Sequence, residues 1–281
     1  MNVALKGNVR WNRWDWKIPL LYLCFFSLSS INAYANFDHA PWNALLKEHV
    51  RVIDGGQATQ VNYEGMLADR DRLRIYLDQI ASVKRGDFDN WQQSEQLAFL
   101  INTYNAWTVE LVLTEYPDLE SIREIGLFPF SAWRRNFVSL FGEQISLDDV
   151  EHGMIRDWGN YNEPRIHFAV NCAAIGCPAL RAEAYVGHRL ERQLEENTKL
   201  FLQDRSRNYF SEGRLYVSRI FDWYREDFEQ GWLGVNSVSE FLARYANEIE
   251  LTENGLSQLE QKEIRIRYLR YDWKLNGCLL Y

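Results

Sequence analysis

Residues 163–180, EPRIHFAVNCAAIGCPAL, hold the densest group of chemically reactive side chains in this sequence. Pro164 disfavours helix at the residue before it, and apolar side chains then alternate with polar ones. The apolar members of this alternation are Ile166, Phe168 and Val170. The alternation predicts a strand with one apolar face. It ends near Cys172, and Cys177 follows after four residues, so the segment is a candidate site.

The surrounding pattern predicts the fold class. Residues 91–116 are apolar on nearly every side of a helix, which is typical of a buried helix. Hairpin patterns follow at residues 137–147 and 208–217, and a further strand pattern lies at residues 264–269. Helices therefore come first and strands cluster later. We expect an α+β fold in which a mainly antiparallel sheet packs against helices, including one long buried helix.

Residues 1–35 have the pattern of a signal peptide. Four basic residues precede a short apolar run at residues 18–28, and Ala33-Tyr34-Ala35 matches a cleavage site. The run is short for a permanent membrane span, although an uncleaved anchor is the alternative. This pattern predicts a periplasmic or secreted protein whose residues 36–281 form a single globular domain.

Composition and charge exclude several classes of protein. Apolar residues make up 47% of the chain and charged residues 25%, which is typical of a folded soluble domain. The leader carries four basic residues and one acid, so its removal changes the formal net charge from −8 to −11. Such a charge does not suit nucleic acid or anionic lipid, and we expect no membrane span after leader cleavage. Nucleotide-binding glycine motifs are absent from the sequence, so no cofactor is predicted.

The cysteines and histidines of this segment and of the segment before it are compatible with a site that uses a thiol nucleophile. Such a nucleophile needs a lowered pKa and a base within hydrogen-bonding reach. Cys172 meets the first need if the three residues after it begin a helix, since a helix N-terminus stabilises thiolate. His167 or His152 is the candidate base. His167 lies on the opposite strand face from Cys172, so the chain must turn at Cys172 for the two to meet.

Three further residues complete the candidate site. Glu151 or Asn105 is the candidate group that orients the base, as in a thiol–imidazole–carboxylate or thiol–imidazole–amide arrangement. Asn105 lies in the predicted buried helix, where an amide needs hydrogen-bonding partners and can equally serve to fix a neighbouring loop. Cys177 is either structural or the alternative nucleophile.

Other interpretations of the cysteines remain open from the residues alone. Cys172 and Cys177 can form a disulfide, which would persist after export. They can also be buried packing residues. A zinc site would need His152 and His167 as well, and the spacing of these four residues matches no standard zinc hairpin. No metal is therefore predicted.

Four motifs together resemble the family known as domain of unknown function 547. In chain order they are AFLINTYNAWTV (98–109), DDVEHGMIR (148–156), PRIHFAVNCAAIGCPAL (164–180) and IFDWYREDF (220–228). The resemblance covers about residues 91–228, and the order of four motifs makes it specific.

The resemblance implies a site at the residues selected above. The family pattern includes positions that correspond here to Asn105, Glu151, His152, His167, Cys172 and Cys177, without departure. Because the family also occurs inside reducing cells, the resemblance weakens the disulfide interpretation. The family name implies no activity.

Two functions are consistent with these observations. The first is an exported thiol-dependent hydrolase or acyl transferase of the papain or transglutaminase type, acting on a peptide or on an envelope-derived amide. The alternative is a noncatalytic binding module of the cell envelope with a structural cysteine–histidine cluster. The sequence does not determine the oligomeric state.

Overall fold

A 21-residue helix, α5 (Gln93–Leu113), runs through the core of this protein. The computed structural model describes Met1 and residues 37–126, 131–156 and 159–278, so the predicted leader lies outside the described residues. Nearly all of α5 is buried because apolar side chains surround it on every side. The long buried helix predicted from the sequence is therefore confirmed.

The N-terminal half is helical apart from one hairpin. Its elements are α1 (Ala40–His49), β1 (Val50–Ile53), β2 (Ala58–Val61), α2 (Tyr63–Ala68), α3 (Arg70–Ser82) and α4 (Arg85–Asp89). Pro41 lies in the first turn of α1, where its missing N–H costs no hydrogen bond. Together with α5 these helices enclose the larger of two hydrophobic clusters.

The C-terminal half contains most of the strands. Its elements are β3 (Val138–Leu140), β4 (Glu143–Ile145), α6 (Leu190–Gln203), β5 (Tyr209–Ser211), β6 (Arg214–Val217), α7 (Ile220–Trp223), α8 (Arg225–Phe228), α9 (Val238–Arg244), α10 (Glu253–Glu260) and β7 (Arg265–Tyr268). A π-helix (Asp149–Arg156) and a 3₁₀ helix (Pro164–Phe168) lie between β4 and α6. Apart from Phe168, the second hydrophobic cluster consists of residues between Phe201 and Ile264, whereas Val138 and Leu140 of β3 belong to the larger cluster.

The strands form three small sheets rather than one. The hairpins β1–β2 and β3–β4 are separate two-stranded sheets, and the third sheet has the order β5–β6–β7. All pairings are antiparallel except that of β6 with β7. The predicted α+β class with mainly antiparallel pairing is therefore confirmed. Within the described ranges, no helix combines the length and the apolar character needed to cross a membrane.

The strand predicted over residues 166–170 is wrong. Pro164–Phe168 is a 3₁₀ helix, and the Glu163 side chain caps it by accepting the N–H of Arg165. Ile166 packs in the larger hydrophobic cluster, whereas Phe168 packs in the second one. Apolar side chains alternate here because one tight turn supplies both clusters, and this imitates the period of a strand.

Paired substitutions on α5 and α3 test the central position of α5. Ile101 is completely buried, whereas Ile75 on α3 is 58% exposed. We expect Ile101→Ala to lower the free energy of unfolding by about 2–5 kcal/mol, since it leaves a cavity. The same change at Ile75 should stay within about 0.5 kcal/mol. Urea unfolding measures both values, and equal losses would contradict the packing described.

Candidate functional site

A single cavity of about 400 Å³ brings together five of the six predicted site residues. Its lining includes Glu151, His152, His167, Cys172 and Cys177. This volume lies within the range of small-molecule pockets. Asn105, the sixth residue, does not line the cavity and acts behind it.

The loop after the 3₁₀ helix folds the cysteines against each other. Ala173 adopts a left-handed backbone conformation with φ of 61°, which reverses the chain directly after Cys172. The N–H of Cys172 then donates to Sγ of Cys177 at 3.0 Å, and the N–H of Ala174 does so at 3.5 Å. The predicted helix N-terminus at Cys172 is wrong. Backbone N–H groups of a turn supply the donors instead, and they point to Cys177.

Tyr271 links the two sulfur atoms. Its hydroxyl donates to Sγ of Cys177 at 3.1 Å and lies 3.2 Å from Sγ of Cys172. Gly176 permits this approach, because a Cβ there would lie 2.9 Å from the Tyr271 ring. Both cysteines are free thiols in this structure, so the disulfide interpretation is not the state observed.

The two thiols differ in acidity. Burial acts to raise the pKa of Cys177, but hydrogen bonds from Cys172, from Tyr271 and from two backbone N–H groups outweigh it and lower that pKa below its ordinary value. The hydrogen bond to Cys177, followed by burial and by the charge of Cys177, holds the pKa of Cys172 well above its ordinary value. Cys177 is therefore the better thiolate, and Cys172 stays protonated beside it.

His167 is positioned as a neutral base by an acid that the sequence interpretation did not select. Its Nε2 lies 2.6 Å from Oδ2 of Asp227 in α8. A carboxylate only accepts hydrogen bonds, so Nε2 carries the proton and Nδ1 carries the lone pair. Burial lowers the pKa of His167 despite the opposing effect of Asp227, which keeps the ring neutral near pH 7. Nδ1 is buried without a partner.

His152 is differently arranged. Its Nδ1 accepts a hydrogen bond from Nη1 of Arg156 at 2.6 Å, since a guanidinium only donates. The lone pair of His152 is thus already used. Arg156 also forms a double hydrogen bond with Asp227, and its guanidinium lies over the Tyr224 ring. Of the two candidate bases, His167 has the free lone pair.

The π-helix places three of these groups on one face. Glu151, His152 and Arg156 all belong to it and all line the cavity. A π-helix has a wider turn than an α-helix and is frequent at functional sites. No pattern in the sequence distinguishes this wider turn from an α-helix.

Glu151 faces the cavity with a carboxylate that is incompletely paired. The residue is 4% exposed, and its Oε1 is buried without a hydrogen-bonding partner. Tyr224 lies beside it, and burial, the charge of Glu151 and a hydrogen bond with Glu151 raise the pKa of that phenol well above its ordinary value. Tyr224 also stacks on His167 with ring centroids 3.9 Å apart. No described hydrogen bond joins Glu151 to a ring nitrogen of His152 or His167.

Asn105 fixes the backbone that leads to Cys172. Its amide donates to the carbonyl of Ala169 at 3.0 Å and accepts the N–H of Asn171 at 2.8 Å. Asn102, one turn earlier on α5, holds both backbone groups of Tyr185 in the same manner. Both amides therefore fix loops, and Asn105 does not orient a histidine.

Residues 271–278, the C-terminal strap, hold the cysteine loop from the other side. The N–H of Ile175 donates to the backbone carbonyl of Lys274, and the N–H of Gly176 donates to that of Asp272, both at 2.8 Å. Asn276 donates to the carbonyl of Ala173. The strap thereby places Tyr271 against the sulfurs, and no motif in the sequence pointed to this role. Asp227 had a weak signal, since it lies in the motif at residues 220–228.

Aromatic rings form much of the cavity lining. They are Tyr104, Trp133, Trp223, Tyr224, Tyr271 and Trp273. Trp223, at 45% exposure, lies at the mouth and contacts the strap residues Tyr271 and Trp273. The zinc alternative finds no support in the geometry. Among the described residues, His152, His167, Cys172 and Cys177 do not bring three ligand atoms within 4.8 Å of one another.

Comparison with known proteins gives one match. Residues 88–202 match the model of the family described as "Protein of unknown function, DUF547". The resemblance predicted from the motifs is therefore confirmed over this range, which includes α5, the π-helix and both cysteines. The motif at residues 220–228, with Asp227, follows the end of the match. No curated protein matches this chain, and no solved structure matches it. The resemblance to the papain or transglutaminase type thus stays a prediction.

Two matched amide substitutions test the role of Asn105. Asn105→Ala and Asn102→Ala each leave one buried carbonyl and one buried N–H unpaired, at a cost of about 1–3 kcal/mol for each group. We expect both to lower the free energy of unfolding. Only Asn105→Ala should also change the alkylation rates of Cys172 and Cys177, measured site by site with iodoacetamide and mass spectrometry. If Asn102→Ala changes the alkylation rates as much as Asn105→Ala does, Asn105 has no specific role in fixing the cysteine loop.

Proposed function

We propose that this protein is a thiol-dependent hydrolase or acyl transferase that acts on a peptide or other amide bond. One observation carries the proposal. The sulfurs of Cys172 and Cys177 line the same cavity as the neutral imidazole of His167, which Asp227 holds in place, and the pKa of Cys177 is lowered. A nucleophile, a base and a group that orients the base are the parts such chemistry needs. The proposal concerns residues 36–281, and the substrate is a peptide or an envelope-derived amide.

Cys177 is the proposed nucleophile, in place of the Cys172 expected from the sequence. Its sulfur accepts two backbone N–H groups and the Tyr271 hydroxyl, and donors of this kind stabilise a thiolate. Cys172 supplies one of those N–H groups and a thiol whose pKa is raised. We assign Cys172 to stabilising Cys177.

His167 is the proposed base and Asp227 its positioning residue. His167 accepts the proton of the Cys177 thiol at Nδ1 as the sulfur attacks the acyl carbon, and it gives that proton to the nitrogen of the leaving amine as the C–N bond breaks. His167 then removes a proton from water, or from an acceptor amine, through Nδ1, and the oxygen or nitrogen displaces the sulfur from the thioester. The cysteine is regenerated and the proton count balances.

A noncatalytic binding module of the cell envelope is the second candidate. Among the described residues, neither sulfur makes a hydrogen bond to an imidazole, and both contact the Tyr271 hydroxyl instead. In this alternative the cysteine–histidine cluster stiffens a ligand pocket. Catalytic hydrogen bonds are often long in a free enzyme, so the thiol chemistry itself discriminates between the two.

Alkylation at different pH values tests the proposed nucleophile. Because the pKa of Cys177 is lowered, its thiolate forms below the pKa of an ordinary cysteine, about 8.5. We expect Cys177 to react with iodoacetamide faster than Cys172 and Cys278 near pH 7, although Cys177 is the most buried of the three. Burial raises the pKa of Cys278, which makes it an internal reference.

Two tyrosine variants provide the control for this experiment. Tyr271→Phe removes a donor to Cys177 and should move the inflection of its alkylation profile to higher pH. Tyr216→Phe in β6 should leave the profile unchanged. With p-nitrophenyl acetate as acyl donor, Cys177→Ala should abolish the acylation burst and His167→Gln should slow the release of acetate. Alkylation of Cys177 no faster than that of Cys278, with no burst, would leave only the binding module.

We also propose that the protein acts in the periplasm or outside the cell. The support is the leader pattern of residues 1–35. Expression of the full chain in a bacterium with a periplasm should yield an exported form whose N-terminal sequence begins at Asn36. Recovery of the full-length form from the cytoplasm alone is the result that excludes export.

A further inference from the structure

We propose that the cavity binds a ligand through a protonated amine, which Glu151 receives against the aromatic lining. This assignment names the substrate class of the proposed thiol enzyme and so rests on that proposed function. An ammonium group on the ligand is the chemistry that the charges and rings of the cavity select.

Among the described residues, the charges around the cavity leave one carboxylate, that of Glu151, without a salt bridge. Arg156 is neutralised by its double hydrogen bond with Asp227. Arg134 lies 3.4 Å from Asp148, which also faces His152. Within the part of the chain that the structure describes, Glu151 forms no salt bridge. A ligand with one positive charge restores the balance.

The geometry of Glu151 indicates an incoming donor. The side chain is buried, yet its Oε1 has no hydrogen-bonding partner. An unpaired buried carboxylate oxygen is costly, and a donor from a ligand removes that cost. The only other orphaned atom on the cavity lining, among the described side chains, is Nδ1 of His167. Both atoms accept hydrogen bonds, so a ligand group rich in N–H donors suits the pair.

The aromatic lining favours the same ligand. Cations are attracted to the faces of tryptophan and tyrosine rings, and Tyr104 lies near Glu151 on the cavity lining. Trp223 extends the aromatic surface to the mouth of the cavity. A thiolate at Cys177 would add a second negative charge to the same space. An anionic ligand finds no uncompensated cation among the described lining residues.

Equilibrium binding of two probes of similar shape tests the assignment. Benzylammonium carries one positive charge at neutral pH, whereas benzyl alcohol is neutral. Calorimetric titration of the purified full chain at low salt should show benzylammonium binding at least about tenfold more tightly. In Glu151→Gln the preference should vanish. Glu143 is an exposed acid on the β3–β4 hairpin, and in Glu143→Gln the preference should persist.

Each outcome decides the assignment. Equal affinities for the two probes in the unmodified protein overturn it, even if Glu151→Gln does not fold. A preference that survives in a folded Glu151→Gln also overturns it. Because binding needs no reactive thiol, inert cysteines together with an intact ammonium preference would refute the proposed chemistry and leave the amine site standing. Reactive cysteines without a preference for benzylammonium would refute the amine site and leave the proposed thiol chemistry standing.

Discussion

The backbone of the cysteine loop is held from two sides, and the cavity depends on this double support. From the core, the Asn105 amide pairs with the carbonyl of Ala169 and the N–H of Asn171. From the opposite side, the C-terminal strap pairs with the N–H groups of Ile175 and Gly176. The left-handed backbone conformation of Ala173 costs conformational free energy, and the hydrogen bonds from both sides offset that cost. Both sulfurs keep their positions as a result.

One acid connects the two halves of the cavity. Asp227 accepts hydrogen bonds from His167 and from Arg156, and these contacts outweigh burial and lower its pKa. Arg156 in turn fixes His152. Both imidazoles therefore carry their proton on Nε2, but the Nδ1 lone pair of His152 accepts from Arg156 whereas that of His167 has no partner. A hydrogen-bond network of this kind is fully satisfied only when every member is present, which gives α8 a role in a site whose cysteines lie far away in sequence.

Sequence reasoning located the residues better than it described their roles. Local signals were sufficient for α5 and for the two later hairpins, because their patterns extend over whole elements. The alternation at residues 166–170 misled, since Ile166 and Phe168 serve different hydrophobic clusters. Asn105 was recognised as a buried amide, but its partners depend on tertiary packing. Tyr271 carried no local signal at all, because only the folded strap brings it to the sulfurs.

The strap has a consequence for the order in which the protein can mature. Tyr271 is separated from Cys177 by 94 positions, so the nascent chain contains both cysteines long before the group that links them. Until that segment is synthesised, the loop lacks its outer backbone partners and the thiols lack their shared donor. The two thiols therefore reach the arrangement described here only after the strap has docked against the cysteine loop.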